Sequence, residues 1–186
     1  MENKLYIIVD CSGSMFEMAK QSISMNLLST IKEYNHSFDE IILFLWNDVL
    51  KEISFGDTED FMLLSASGKL NFDKLEEKIV SLSQKEEELK ILLFSDGNFS
   101  DIEFQSFSNR IKELSNIYIS SVQIGADAVV KQLTSISFHQ CVYFAEDILT
   151  AIKSLENISS QKFIRPNCIN EILTTSLIEE EDMDEW

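Results

Sequence analysis

The chain has 186 residues, a hydrophobic fraction of 45% and a formal net charge of -17. This length fits one domain with a sizeable core. The strong negative charge makes nucleic acid and anionic lipid surfaces poor partners, so we expect neither as a ligand. No apolar run reaches the ~18 residues that a membrane span needs, and residues 1–4 lead straight into the first predicted strand. We therefore expect no signal peptide and a cytoplasmic protein.

A predicted strand over residues 5–9 ends in a loop rich in oxygen donors. The unbroken apolar run is typical of a strand buried on both faces, as in a parallel sheet. Asp10, Ser12 and Ser14 follow it, and Gly13 lets the backbone bend so that one carboxylate and two hydroxyls converge. Hard divalent cations prefer such oxygen ligands, so the loop predicts a site for Mg²⁺, with Mn²⁺ or Ca²⁺ as alternatives.

The middle of the chain alternates helix and strand patterns. Apolar residues from Phe16 to Tyr34 recur in steps of three or four, which predicts a long helix. A central strand is predicted over 41–46 and an antiparallel edge strand over 49–55, joined by a short turn. Asn71 is a predicted cap of the next helix.

A strand over 89–94 then delivers Asp96 to the same sheet edge as Asp10, because strand-helix-strand crossovers are right-handed. Ser100 and Glu103 have the spacing of a capping box for a helix whose apolar residues include Ile102. Strands over 117–124 and 141–144, a short helix over 127–135 and a last helix follow. This alternation predicts an α/β fold, a doubly wound, mostly parallel sheet with helices on both faces.

Two of these loops together resemble the metal-ion-dependent adhesion site (MIDAS) of von Willebrand factor A domains. The first is Asp10-x-Ser12-x-Ser14, and the second is the loop with Asp96 after the later central strand. The resemblance implies a six-stranded sheet of order 3-2-1-4-5-6 with strand 3 antiparallel. It also implies that these four residues are ligands of a metal ion, and that a partner's Asp or Glu side chain completes the coordination.

The family's third loop departs from this pattern. It normally carries a Thr that ligates the metal, whereas Leu70, or Lys69 with a one-residue slip, stands there in this chain. Leucine has no lone pair and an ammonium repels a cation, so neither side chain can replace the Thr. A metal-free structural subunit of a larger assembly is therefore an alternative.

A second resemblance covers residues 124–133 and the acidic pair Glu146-Asp147. These segments are similar to the carboxyl half of bacterial, tellurium-resistance-associated members of the same family. Those proteins are cytosolic scaffolds. The resemblance implies a scaffold in a bacterial stress, conflict or antiviral defence system.

The last part of the chain differs from the predicted domain, which we place at residues 1–162. The extension 163–186 ends in eight residues, six of which are acidic. One interpretation is a solvated tail. The other is a docking peptide whose acids face a basic groove of a partner while Met183 and Trp186 act as apolar anchors.

Catalysis by Asp10 is the remaining alternative. A phosphatase or a phosphate-accepting receiver domain places an Asp after a similar strand. The phosphatase needs a second Asp two residues later, where this chain has Ser12. His36 and His139 are not beside a nucleophile motif, which argues against a Ser-His-Asp triad. We therefore expect a protein that is not an enzyme.

Overall fold

In a computed structural model, which describes residues 2–17, 19–34, 37–55, 68–156 and 158, strands and helices alternate along the chain. The strands are β1 (Lys4–Asp10), β2 (Glu40–Trp46), β3 (Leu50–Ser54), β4 (Leu89–Ser95), β5 (Ile117–Gln123) and β6 (Val142–Tyr143). The α-helices are α1 (Lys20–Tyr34), α2 (Phe72–Ser83), α3 (Asp101–Lys112), α4 (Val130–Ile136) and α5 (Ile148–Glu156). Short 3₁₀ turns cover Gly13–Phe16, Phe138–Gln140 and Ala145–Asp147.

The six strands form one sheet of order β3-β2-β1-β4-β5-β6. β3 is antiparallel to β2, and the other pairings are parallel. The predicted fold class and strand order are therefore confirmed. Successive strands move outward in one direction from β1 and in the other from β4, so the sheet reverses its winding between these two strands. Open α/β sheets bind ligands outside the carboxyl ends of the strands at such a reversal.

Alternate residues of the central strand β1 enter separate apolar clusters on the two faces of the sheet. Ile7 belongs to the cluster that includes side chains of α1 and α5. Its neighbour Ile8 belongs to the cluster that includes side chains of α2, α3 and α4. Burying one such side chain contributes about 1.5 to 3 kcal/mol. Because both faces are covered, the polar groups of this strand can reach solvent only at its ends.

Several local predictions are wrong. The first helix begins at Lys20, because a 3₁₀ turn over Gly13–Phe16 and a left-handed Ala19 precede it. Phe16, expected on its buried face, is 63% exposed. Ile102 is 84% exposed because it lies on the face of α3 opposite the buried Phe104 and Ile111. Ser100 precedes that helix without a side-chain cap, whereas Asn71 does cap α2 by accepting from the Lys74 amide.

Some expectations fall on residues that the structure leaves undescribed. These include His36, the boundary at 162/163, and the predicted anchors Met183 and Trp186, all outside the described residues. Within the described ranges, helices are too short or too polar to cross a membrane.

Candidate functional site

The two predicted acidic ligands lie at one edge of the sheet. We call it the carboxyl edge, where the parallel strands β1, β2, β4, β5 and β6 end. Asp10 is the last residue of β1 and Asp96 follows β4, its neighbour in the sheet. Their exposed fractions are 2% and 1%. The structure therefore places both carboxylates at the carboxyl ends of neighbouring strands, and their role as metal ligands stays a prediction.

Asp10 is held by hydrogen bonds on both of its oxygens. Its Oδ1 accepts from the Ser12 amide at 2.8 Å, and its Oδ2 accepts from the Ser95 hydroxyl at 2.6 Å. Ser95 Oγ in turn accepts from the Gly97 amide. Burial raises the pKa of Asp10 to about 6, since the hydrogen bonds from Ser12 and Ser95 only partly offset it and the charge of Asp96 adds to it.

The two serine hydroxyls lie beside each other at the start of the 3₁₀ turn. Ser12 Oγ is 3.1 Å from Ser14 Oγ. Both residues line a cavity of about 360 Å³. Its other walls come from Gly13, Gly68, Lys69, Leu70, Phe72, Asn98, Phe99, Ser100 and Glu103. The predicted serines thus line a space that is open to a ligand. Lys69 and Leu70, which stand where the family has its third-loop Thr, line it as well.

Asp96 has a partner that the motifs did not indicate. Its Oδ2 accepts from Lys20 Nζ at 2.9 Å, and its Oδ1 accepts from the Asn98 amide at 3.0 Å. Lys20 Nζ also lies 2.8 Å from Oδ2 of Asp127. Burial lowers the pKa of Lys20, but the bonds to Asp127 and Asp96 outweigh it and raise that pKa above its ordinary value. The bond from Lys20 lowers the pKa of Asp127.

A signal for this lysine was present in the helical pattern. Lys20, Ser24, Leu27 and Ile31 follow one another at steps of four, three and four, and all of them are buried. A lysine in phase with a buried stripe needs a buried partner. That partner lies 76 residues away in the sequence. The local pattern therefore indicates that Lys20 needs a partner but does not identify it.

The donor set does not fit a divalent cation in this arrangement. Asp10, Ser12 and Ser14 offer suitable oxygens, but an ammonium already lies at hydrogen-bonding distance from Asp96. In the third loop, Lys69 brings a second positive charge toward the cavity. Among the residues described, no group of three or more His, Cys, Asp and Glu side chains is placed to hold a metal ion.

Exposed apolar side chains occur in the segments that follow the strands at this edge. The described residues include eight exposed large apolar side chains, and only Tyr34, at the end of α1, is away from the carboxyl edge. The other seven all follow the carboxyl end of a strand. We call them the apolar rim: Phe16, Val49, Ile102, Val129, Val130, Phe144 and Leu149.

Solved structures share this fold. Proximal thread matrix protein 1 from the mussel byssus, solved with a zinc-occupied MIDAS motif, is 12% identical, with a TM-score of 0.60 over 85% of this chain and 46% of its own. Manganese-loaded TRAP protein of Plasmodium vivax is 16% identical, with a TM-score of 0.59 over 83% and 73%. A von Willebrand factor type A structure from Catenulispora acidiphila is 17% identical, with a TM-score of 0.57 over 86% and 42%.

These likenesses show that the chain has the von Willebrand factor A fold. The chain spans less than half the length of the mussel and Catenulispora chains. No protein-family model and no curated protein matches the sequence.

Proposed function

We propose that the chain is a non-enzymatic protein-interaction module that binds a partner at the carboxyl edge of its sheet. The observation that carries the proposal is that seven of the eight exposed large apolar side chains of the described residues follow strands at the same edge as the polar centre. Exposed apolar surface is typical of interaction sites. An apolar surface with a few aimed polar groups is typical of a recognition site.

The polar centre supports the same conclusion. Placing two carboxylates and an ammonium out of water costs free energy, and an apolar edge would be at least as stable. Asp10 and Asp96 are nevertheless buried, and Asp96 pairs with the buried Lys20. The hydroxyls of Ser12 and Ser14 at the cavity wall can donate to or accept from a side chain of the partner.

Binding accounts for Asp10 better than catalysis does. Both of its oxygens accept hydrogen bonds and the residue is 2% exposed. A nucleophilic carboxylate needs a path to its substrate. We expect no turnover of p-nitrophenyl phosphate, and no phosphorylation of Asp10 by acetyl phosphate with Mg²⁺. Either reaction, lost in Asp10→Asn, would contradict a pure binding role.

The setting of the interaction rests on the sequence resemblance. A scaffold in a bacterial stress or defence system, located in the cytoplasm, stays a prediction. The same holds for Mg²⁺ or another divalent ion bound by Asp10, Ser12, Ser14 and Asp96, and for an acidic side chain of the partner as a ligand of that ion. The donor geometry argues against these last two.

The binding edge can be tested by site-specific photo-crosslinking in the native host. A photoreactive phenylalanine analogue replaces Asn98 at the carboxyl edge or, as a control, Glu87 just before β4 at the opposite edge. Both positions are exposed. We expect Asn98 to crosslink one defined protein and Glu87 not to. Crosslinking of that protein from position 87 and not from position 98 would contradict the proposed binding edge.

A matched pair of substitutions tests the apolar rim against the same partner. Ile102→Glu places a charge on the rim, and Tyr34→Glu places one on the exposed apolar residue at the other end of the molecule. We expect Ile102→Glu to weaken binding by about tenfold or more, as loss of an apolar anchor does, and Tyr34→Glu to leave it unchanged. Equal losses of binding in the two variants would contradict the assignment of the apolar rim as the contact surface.

Deletion of residues 163–186 tests the alternative that the tail, and not the apolar rim, contacts the partner. The tail is expected to be dispensable if the rim provides the anchors. Loss of binding in the truncated chain and in Met183→Ala with Trp186→Ala, together with unchanged binding in Ile102→Glu, would favour the docking peptide instead.

A further inference from the structure

Lys20 gives the carboxyl edge a buried positive charge. Its Nζ lies 2.9 Å from Oδ2 of Asp96 and 2.8 Å from Oδ2 of Asp127, and the residue is 0% exposed. We propose that this ammonium is the resident cation of the edge and takes the place that a divalent metal ion would otherwise fill. The edge then contacts its partner without a divalent ion.

The backbone around Lys20 is shaped to receive this side chain. Gly125 has a φ of +91°, and a Cβ on it would lie 2.6 Å from Cε of Lys20 and 2.7 Å from Oδ1 of Asp127. Glycine therefore leaves the space that the lysine side chain fills. Directly before the lysine, Ala19 has a φ of +60°, which is uncommon for a residue with a side chain. Two left-handed backbone conformations accompany this buried ammonium.

A divalent ion and this ammonium compete for the same carboxylate. Metal ions bind carboxylate oxygens at about 2.0 to 2.6 Å, so an ion on Oδ2 of Asp96 would lie close to Lys20 Nζ. Two positive charges at such a distance in a buried site repel strongly. The other oxygen of Asp96 accepts from the Asn98 amide. The ammonium must leave before an ion can bind.

The same geometry implies a latent metal site. Removing the ammonium leaves the Asp96 carboxylate without its buried ion partner, at the same sheet edge as Asp10 and the adjacent Ser12 and Ser14 hydroxyls. These are the hard oxygen donors that Mn²⁺ and Mg²⁺ prefer. A neutral side chain at position 20 therefore converts an ammonium site into a divalent-cation site.

The test is Mn²⁺ binding by wild type, Lys20→Met and Lys90→Met, read by electron paramagnetic resonance and by thermal melting in chelator or millimolar MnCl₂. Lys90 is the matched control, because it is a buried lysine at the opposite end of a central strand. We expect Lys20→Met to bind Mn²⁺ about tenfold or more tightly than wild type, since a buried unpaired carboxylate gains a counter-charge. Its melting temperature rises with Mn²⁺, and those of wild type and Lys90→Met do not.

Saturable Mn²⁺ binding by wild type as tight as that of Lys20→Met would overturn the proposal. So would a folded Lys20→Met that binds no Mn²⁺. If Lys20→Met unfolds in chelator, refolding with Mn²⁺ gives the readout instead. We then expect Mn²⁺ to restore folding of Lys20→Met but not of Lys20→Met with Asp96→Asn, and absence of rescue in the single variant contradicts the proposal.

Only the last consequence, ion-independent contact, rests on the proposed function. It is tested by repeating the Asn98 crosslink in permeabilised cells with chelator, where we expect the same product. Loss of the product in chelator overturns the resident ammonium and leaves the binding edge standing. A missing product in both conditions overturns the binding edge, and the Mn²⁺ titrations are unaffected by that result.

Discussion

The two ends of the central strands both bury a lysine, but in different surroundings. At the amino edge, where β1 and β4 begin, Lys90 donates to Asn3 Oδ1 at 3.0 Å and pairs with Glu88, whose side chain is 34% exposed. At the carboxyl edge, Lys20 pairs with Asp96, whose side chain is 2% exposed, and with the half-exposed Asp127. One lysine neutralises a surface group, and the other neutralises an interior one.

This difference distinguishes an edge that only completes the folded sheet from an edge that also has a function. At the amino edge the partly exposed Glu88 can hydrate if Lys90 is lost, so this ion pair contributes little to stability. The carboxyl edge holds charges that water cannot reach, and removing one leaves another uncompensated. A chain that needed only a stable sheet would have no reason to keep them. We therefore place recognition at the carboxyl edge.

The largest expected difference comes from removing each lysine. In chelator, we expect Lys20→Met to lower the free energy of unfolding by about 3 to 5 kcal/mol, because the Asp96 carboxylate stays buried without its ion partner. Lys90→Met is expected to cost about 1 kcal/mol or less, since Glu88 remains partly hydrated. Urea denaturation of both variants measures the difference. Equal losses would erase the contrast between the two edges.

The pH dependence of stability reports on Asp10, the second buried carboxylate at the carboxyl edge. The pKa of Asp10 is about 6 in the folded protein against an ordinary value of 3.8. The folded state thus holds this proton more tightly, and its stabilising contribution is full below about pH 4 and is lost as the pH rises through about 6. Two pKa units correspond to about 3 kcal/mol.

Asp10→Asn removes this titration, because an amide does not ionise in that range. The difference in unfolding free energy between wild type and Asp10→Asn, measured in chelator, is expected to shift by about 3 kcal/mol against wild type from about pH 4 to about pH 7. A difference that stays constant across this window would show that Asp10 is not held in a desolvated environment.

The smallest expected effect compares two left-handed glycines. Gly125 has a φ of +91° and Gly68 a φ of +94°, so alanine meets similar backbone strain at both. A Cβ at Gly125 also collides with Lys20, whose side chain is pinned by two carboxylates, whereas a Cβ at Gly68 has no atom within 4 Å. We expect Gly125→Ala to cost about 1 to 2 kcal/mol more than Gly68→Ala in urea unfolding. Equal costs would show that the lysine is free to move.

The sequence allowed the fold to be predicted because its signals are local. Continuous apolar runs mark central strands, and carboxylates directly after two of them, Asp10 and Asp96, had to reach the same edge. Asn71 likewise caps its helix by a contact three residues away. Each of these depends on a few neighbouring residues, and each agrees with the structure.

The contents of the site were harder to predict because they depend on contacts distant in sequence. Lys20 meets Asp127 across 107 positions, and Gly125 matters only because the lysine passes it. Ile102 is five residues before Phe107, a step that does not match the helical period, and it lies on the face of α3 opposite the buried Phe104, Phe107 and Ile111. The prediction grouped these residues on one face, and the helical phase does not support that grouping.

The most direct measurement is a crystal structure of the wild-type chain grown in millimolar MnCl₂, with anomalous differences recorded for Mn²⁺. We expect Lys20 Nζ between the carboxylates of Asp96 and Asp127, and no Mn²⁺ peak within ligand distance of Asp96. An Mn²⁺ ion bound to Asp96 together with Ser12 and Ser14, and Lys20 turned away, would contradict the resident ammonium.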